Sequence, residues 1–227
     1  MLALIEEALL LIKPNMSISL GGGSNVAKLA AELAKHKNLH LTICTPSEVT
    51  QNYCESIGIP ITDFNQASHF DIAFDGCDSL DSNLNALKSN GGIHLSEKVS
   101  AELADEYVIL APLQRVTKIL SPDIPLTLEI DEKVIGPIQK QLNELKLRSK
   151  IRMSNDIAGY VRTASGNLLI DCYADNWGNI SFLNDSLAKL NGVIATSFFE
   201  NLVTLALTFD TDGKIHKFER KIDYDKI

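Results

Sequence analysis

An α/β protein carrying a smaller inserted α+β unit is what this 227-residue sequence predicts. Three observations support that prediction. In the first half, short apolar runs of strand type alternate with segments whose apolar residues recur at helical spacing. That alternation belongs to a mostly parallel, Rossmann-like sheet flanked by helices. A proline-bracketed joint, Ser121-Pro122-Asp123-Ile124-Pro125, then interrupts it. Beyond the joint the order becomes strand, helix, strand, strand, helix, strand, the split βαβ arrangement of a ferredoxin-like unit. The expected boundaries are 1–120 and 198–227 for the major α/β domain and 121–197 for the small α+β domain.

Each element has a local reason. Residues 2–13 form an apolar helix closed by Pro14-Asn15, and Ser17–Leu20 is a short strand. Val26, Leu29, Ala30 and Leu33 recur at helical spacing behind Ser24-Asn25, a predicted N-cap. Leu39–Thr45 is a strand, and Pro46-Ser47-Glu48 opens a helix to about Ile57. Ile59–Thr62 and Asp71–Phe74 are predicted short strands, Ser96–Ala104 a helix, and Tyr107–Ala111 a fully apolar buried strand. In the insertion the strands are Leu126–Ile130, Lys150–Met153, Asn167–Ala174 and Val193–Phe199. Its helices are Val134–Leu147 and Phe182–Asn191. Leu202–Phe209 and Ile215–Phe218 close the chain as a hairpin through Asp212-Gly213.

Composition narrows the partners. The 21 Lys and Arg against 29 Asp and Glu give a net charge of −8, which offers no basic face for a nucleic-acid backbone. No stretch reaches the roughly 18 apolar residues that span a bilayer. The start lacks a basic segment before its apolar run, so no secretory signal is expected. Cys44, Cys54, Cys77 and Cys172 show no metal-binding spacing and read as core residues in a reducing, cytoplasmic setting. The five histidines are scattered, and each reads as structural or exposed.

Two stretches carry chemistry. Ser19-Leu20-Gly21-Gly22-Gly23-Ser24-Asn25 stands between a strand and a helix. Its glycines let the backbone approach an anion, with Ser24, Asn25 and the first-turn N–H groups as donors at the positive end of the helix dipole. It is neither a Walker A loop nor G-x-G-x-x-G, and a ligand-free turn is the alternative. The second stretch is residues 71–98. Asp75 and Asp78 flank Gly76-Cys77 at a strand end, where open α/β sheets place ligands. Lys88 precedes the small-residue turn Ser89-Asn90-Gly91-Gly92, and Glu97 follows near a helix start. As separate features these are turn caps and surface charges; together they suggest a site.

The second stretch resembles the signature of the ribose-5-phosphate isomerase type A family, approximately D-G-A-D-E…K-G-G-G…E-K. It stands here as Asp75-Gly76-Cys77-Asp78-Ser79, Lys88-Ser89-Asn90-Gly91 and Glu97-Lys98. Gly21-Gly22-Gly23-Ser24-Asn25 is similar to that family's G-T-G-S-T phosphate turn. The resemblance implies interconversion of ribose 5-phosphate and ribulose 5-phosphate, a pentose phosphate step that needs neither metal nor cofactor. It implies Glu97 as the base of a cis-enediolate mechanism. Lys88 would stabilise the developing oxyanion, helped by N–H groups of the Ser89–Gly92 turn. Asp75 and Asp78 would assist ring opening and hold the sugar and Lys88. It also implies a homodimer or homotetramer.

The departures from the pattern lie mostly around the phosphate. Gly22 and Asn25 stand where the family has threonines, Leu2 where it has a lysine, and Pro112 where it has an aspartate. Arg115 takes the place of a lysine and can grip a phosphate with two donors. A rival reading is a non-catalytic sugar-phosphate sensor, because the fold also resembles the effector domains of DeoR-type regulators. Residues 71–106 hold eight acids against two lysines, so most of the acidity gathers around the proposed catalytic turns.

Overall fold

The computed structural model describes residues 2–220. Its elements run α1 (Leu2–Leu9), β1 (Ser17–Leu20), α2 (Ser24–Leu33), β2 (Thr42–Cys44), α3 (Glu48–Ser56) and β3 (Phe70–Asp75). Then come β4 (Ser79–Leu80), β5 (Ala86–Leu87), α4 (His94–Glu102), β6 (Ala104–Pro112) and β7 (Leu126–Ile130). The chain continues with α5 (Ile135–Glu144), β8 (Arg148–Ile151), β9 (Leu168–Tyr173) and α6 (Ile180–Ala188). It ends with β10 (Val193–Thr196), β11 (Phe198–Phe199), β12 (Leu205–Phe209) and β13 (Ile215–Glu219).

The chain divides into two compact units. The first comprises residues up to Cys77, Val99–Arg115 and residues from Asn201 on. Its sheet has the order β13-β12-β6-β3-β1-β2, parallel except for β13. The middle strands are apolar throughout because both faces are covered: Val108, Ile109, Leu110 and Ala111 of β6 are all buried. Helix α2 turns Val26, Leu29, Ala30 and Leu33 into that core, the stripe read from the sequence. Ser47 caps α3 by accepting the Thr50 N–H at 3.2 Å. From β1 the chain goes outward to β2 and then returns to the other side of β1 as β3. This reversal makes the carboxyl ends of β1 and β3 the place where such sheets bind ligands.

The second unit comprises Asp78–Lys98 and Val116–Glu200. Its four-stranded antiparallel sheet has the order β10-β7-β9-β8, the split βαβ topology, with Ile138 and Leu142 of α5 and Leu183 and Leu187 of α6 packed in its core. A second sheet, β11-β5-β4, is built from two-residue strands.

Three sequence expectations change. Residues 78–98 group with the insertion, because β5 pairs with β11 and so ties this segment to the end of the insertion. Ile59–Thr62 is not a strand; its link to edge strand β2 is the Thr62 N–H donating to the Ile43 carbonyl at 2.8 Å. The expected strand Val193–Phe199 breaks at Ser197, with β10 joining β7 and β11 joining β5. All four cysteines are free and buried, and burial pushes the thiols of Cys44, Cys54 and Cys172 up. Among the described residues no helix is long and apolar enough to cross a membrane.

Candidate active site

In the first unit, β1 runs into Gly21, whose N–H continues the pairing by donating to the Phe74 carbonyl at 2.8 Å. A Cβ on Gly21 would lie 2.1 Å from Asp75 Cγ, so only glycine fits beside that carboxylate. Gly23 has φ +97° and occupies the N-cap of α2 without any side-chain cap. Ser24 and Asn25 are therefore inside the first turn, not the cap expected from sequence. The uncapped N–H groups of that turn line a cavity of about 220 Å³, together with Ser24, Lys28, Gly76, Pro112 and Arg115. Here the helix dipole, backbone donors and two cationic side chains favour an anion.

Several expected donors are already engaged. Asp75 is 2% exposed. Its Oδ1 accepts from the N–H groups of Gly22 (3.2 Å) and Gly76 (2.7 Å), and its Oδ2 accepts from the Tyr107 hydroxyl (3.1 Å). Gly22 thus spends its N–H on Asp75, correcting its assignment as a backbone anion donor. Asp75 shapes the turn from behind. The Asn25 amide donates to the Leu110 carbonyl at 3.2 Å, pinning the turn to β6. Arg115 donates through Nη1 to the Cys77 carbonyl.

In the second unit, Lys88 and Glu97 face each other with Nζ to Oε1 at 3.2 Å, their side chains only 5% and 7% exposed. The Lys88 ammonium also lies 5.7 Å from the centroid of the Phe199 ring. Two opposite charges withdrawn from water attract each other strongly, and removing either leaves the other buried without it. Asp78 does not reach out toward a ligand as expected. Its Oδ2 accepts the N–H groups of Ser89 (2.7 Å) and Asn90 (2.9 Å), and its Oδ1 accepts the Asn90 amide (2.7 Å). Those N–H groups, expected to help Lys88 stabilise an oxyanion, belong to Asp78 instead. Ser89 is fixed further by its hydroxyl, which donates to the Pro125 carbonyl at 2.5 Å and contacts the Ser197 hydroxyl at 2.9 Å. Gly91 is exposed on the turn.

His94, in the first turn of α4, is fully buried, and neither ring nitrogen has a partner at hydrogen-bonding geometry among the described residues. Burial, and then the positive charges of Lys98, Arg152 and Lys88, push its pKa down to about 3, offset only in part by the Ala195 backbone. The ring is neutral at ordinary pH.

Comparison with known proteins decides the family. Residues 42–213 match the family model described as ribose 5-phosphate isomerase A (phosphoriboisomerase A). The chain is 30% identical over 224 residues to ribose-5-phosphate isomerase A of Prochlorococcus marinus, covering 96% of this chain and 94% of that protein. The chain belongs to the ribose-5-phosphate isomerase A family. Its fold is similar to the structure of the ribose 5-phosphate isomerase A of Methanocaldococcus jannaschii, with a TM-score of 0.87, 26% identity and coverage of 95% and 96%. It is also similar to a D-ribose-5-phosphate isomerase solved in complex with phospho-erythronic acid, with a TM-score of 0.89, 25% identity and 96% coverage of both chains.

For this isomerase-family chain, sequence reading missed four contributors. Lys28 lines the anion cavity, and its position four residues after Ser24 on α2 was a usable signal. Tyr107 sits in an apolar strand and read as core, yet its hydroxyl holds Asp75. Arg152 and Asp171 lie in the insertion, 60 or more residues from the Ser89–Asn90 turn that Arg152 contacts, and carried no local signal.

Proposed function

We propose that this chain interconverts ribose 5-phosphate and ribulose 5-phosphate through a cis-enediolate, with Glu97 as the base. The buried Lys88–Glu97 pair is the observation that carries this reading. The reaction moves one proton from C2 to C1 and another from the C2 oxygen to the C1 oxygen. A single carboxylate can accept the first from C2 and return it to C1, provided bulk water does not exchange it away. Negative charge develops on the two oxygens as the enediolate forms, and a fixed ammonium in a dry setting stabilises it. We assign the C1–C2 edge to Lys88 and Glu97. The phosphate is assigned to the first-turn N–H groups of α2, Arg115 and Lys28. Asp75 and Asp78 act by holding backbone, Asp75 on Gly22 and Gly76 and Asp78 on Ser89 and Asn90. Gly76 and Cys77 complete the turn between them. The relative that binds phospho-erythronic acid supports a phosphorylated sugar of this size as the substrate class.

The test is turnover of ribose 5-phosphate by the wild type and by Glu97→Gln. General-base loss should cost about 10³-fold in kcat. Tight sugar-phosphate binding without turnover, indifferent to the substitution, would instead select the sensor reading. A cytoplasmic setting is supported by the four free cysteines. Assembly as a homodimer or homotetramer is supported by exposed Phe182 and Ile194 on the insertion, and sedimentation would test it.

A further inference from the structure

The turn that carries Lys88 is gripped along both of its edges. Asp78 takes the N–H groups of Ser89 and Asn90. From the opposite side, Arg152 donates Nη2 to the Ser89 carbonyl at 2.8 Å and Nη1 to the Asn90 carbonyl at 3.2 Å. The Ser89–Asn90 peptide is thus held at its carbonyl by Arg152 and at its N–H by Asp78, which leaves that plane no freedom to rotate. Arg152 is itself aimed by Asp171 of β9, which accepts from Nε at 3.1 Å and from Nη2. The side chains of Arg152 and Asp171 are 18% and 7% exposed. A planar fork can meet two successive carbonyls and a carboxylate at once; an ammonium on a flexible stem cannot. Gly92 lets the turn press against β9, since it has φ +68° and a Cβ there would lie 2.8 Å from Leu169 Cδ1.

We propose that Arg152, oriented by Asp171, is a positioning residue for the isomerisation: by holding the Ser89 and Asn90 carbonyls it fixes the turn that aims Lys88 at Glu97 and at the enediolate oxygens. The proposal rests on the roles given to Lys88 and Glu97 above. A pair that served only to stabilise the fold would need the Arg152–Asp171 bridge alone. Beyond that bridge Nη2 also donates to the Thr127 hydroxyl at 3.2 Å, and the two remaining bonds run to the residues that directly follow Lys88.

The experiment compares Arg152→Lys, Arg152→Ala and Glu97→Gln with the wild type in kcat, KM for ribose 5-phosphate and melting temperature. Arg152→Lys retains the charge beside Asp171, so it folds, but it cannot span both carbonyls. Displacing the turn by about 1 Å should lower kcat about 10²-fold in both Arg152 variants. KM should change little, because Arg152 touches no substrate. Guanidinium at low concentration should restore much of the kcat of Arg152→Ala and none of that of Glu97→Gln. Wild-type kcat in both Arg152 variants overturns the proposal. So does a kcat loss that only follows the loss of folded protein and is not rescued by guanidinium. If Glu97→Gln turns over at the wild-type rate, the assignment of the base has failed, and that result is separate from the behaviour of Arg152.

Discussion

The proposed anion cradle of the first unit is assembled from first-turn N–H groups of an uncapped helix and two cationic side chains, Lys28 and Arg115, both exposed. In the second unit the proposed reacting groups are a lysine and a glutamate that are almost entirely buried, the lysine beside a turn whose peptide groups are bound by Asp78 and Arg152. The two constructions respond differently to substitution. A backbone donor survives a change of side chain, so Gly22 and Asn25 can stand in place of hydroxyl residues while the helix end still attracts an anion. A buried charge has no solvent to replace a partner that is removed. Lys88 and Glu97 have no such backbone substitute.

Removing a buried charge should therefore do the most damage. In Lys88→Met, the Glu97 carboxylate is left buried without its ammonium, and stability should fall by about 3 kcal/mol. Loss of the oxyanion partner should also lower kcat by about 10³-fold. Urea unfolding and steady-state kinetics on the same preparation check both. The double variant Lys88→Met/Glu97→Gln should recover much of the stability and none of the activity, because no buried carboxylate is then left without the Lys88 ammonium. If Lys88→Met alone is as stable as the wild type, the pair does not have the buried character assigned to it.

Gly21→Ala comes next, since it tests the one place in the cradle where packing is tight. The new Cβ would fall 2.1 Å from Asp75 Cγ, and Gly22, Gly76 and Tyr107 fix the position of Asp75 by donating to it. Displacing it should cost about 2 kcal/mol and disturb the Gly22 turn. Gly23 has open space around its Cβ position, but its φ of +97° still disfavours alanine. A Gly21→Ala protein with wild-type melting temperature and KM would show that the Asp75 contact is not limiting.

Arg115→Ala should act on binding and spare the chemistry. One charge-assisted phosphate contact is worth about tenfold or somewhat more in affinity. KM for ribose 5-phosphate should rise by that factor with kcat nearly unchanged, and competitive inhibition by inorganic phosphate should weaken in step. A fall in kcat at constant KM would move Arg115 from the cradle to the reacting end, and the contrast between the two regions would lose its meaning there.

What could be read from sequence follows the same division. Gly21–Asn25, Asp75, Asp78, Lys88 and Glu97 stand out because glycine turns and charged residues at strand ends are locally abnormal. Their partners are locally ordinary. Tyr107 lies in an apolar strand, Asp171 in the middle of β9, and Arg152 at the end of an alternating basic run that reads as solvent-facing, so only tertiary pairing brings out their roles. The orientation of Asp78 was likewise hidden, because nothing in its neighbours says whether a carboxylate accepts from a ligand or from its own backbone. The sheet order was accessible through apolar runs, whereas β4 and β5 are two residues each and too short to show a period. Residues 78–98 therefore read as part of the major domain, although pairing between β5 and β11 ties them to the insertion.

The smallest expected effect concerns the buried imidazole beside the second unit's charged groups. His94 has its pKa pushed down to about 3 by burial and by Lys98, Arg152 and Lys88, against an ordinary value near 6.5 in the unfolded chain. Between those values the unfolded state binds a proton that the folded state refuses, so acid favours unfolding. Stability should be unaffected by this group above about pH 7 and should fall as pH drops through 6.5, by up to about 1.4 kcal/mol per pH unit. His94→Leu removes the titration while keeping an apolar shape. At neutral pH it should be neutral or mildly stabilising, because a buried imidazole with little hydrogen bonding leaves the core. Carboxylates titrate in both proteins alike, so the difference between variant and wild type isolates the histidine. That difference should widen from pH 7 to pH 5 in urea midpoints measured at each pH. An equal difference at both would mean that His94 takes up a proton in the folded state, and the dry setting assigned to the Lys88–Glu97 pair would have to be redrawn.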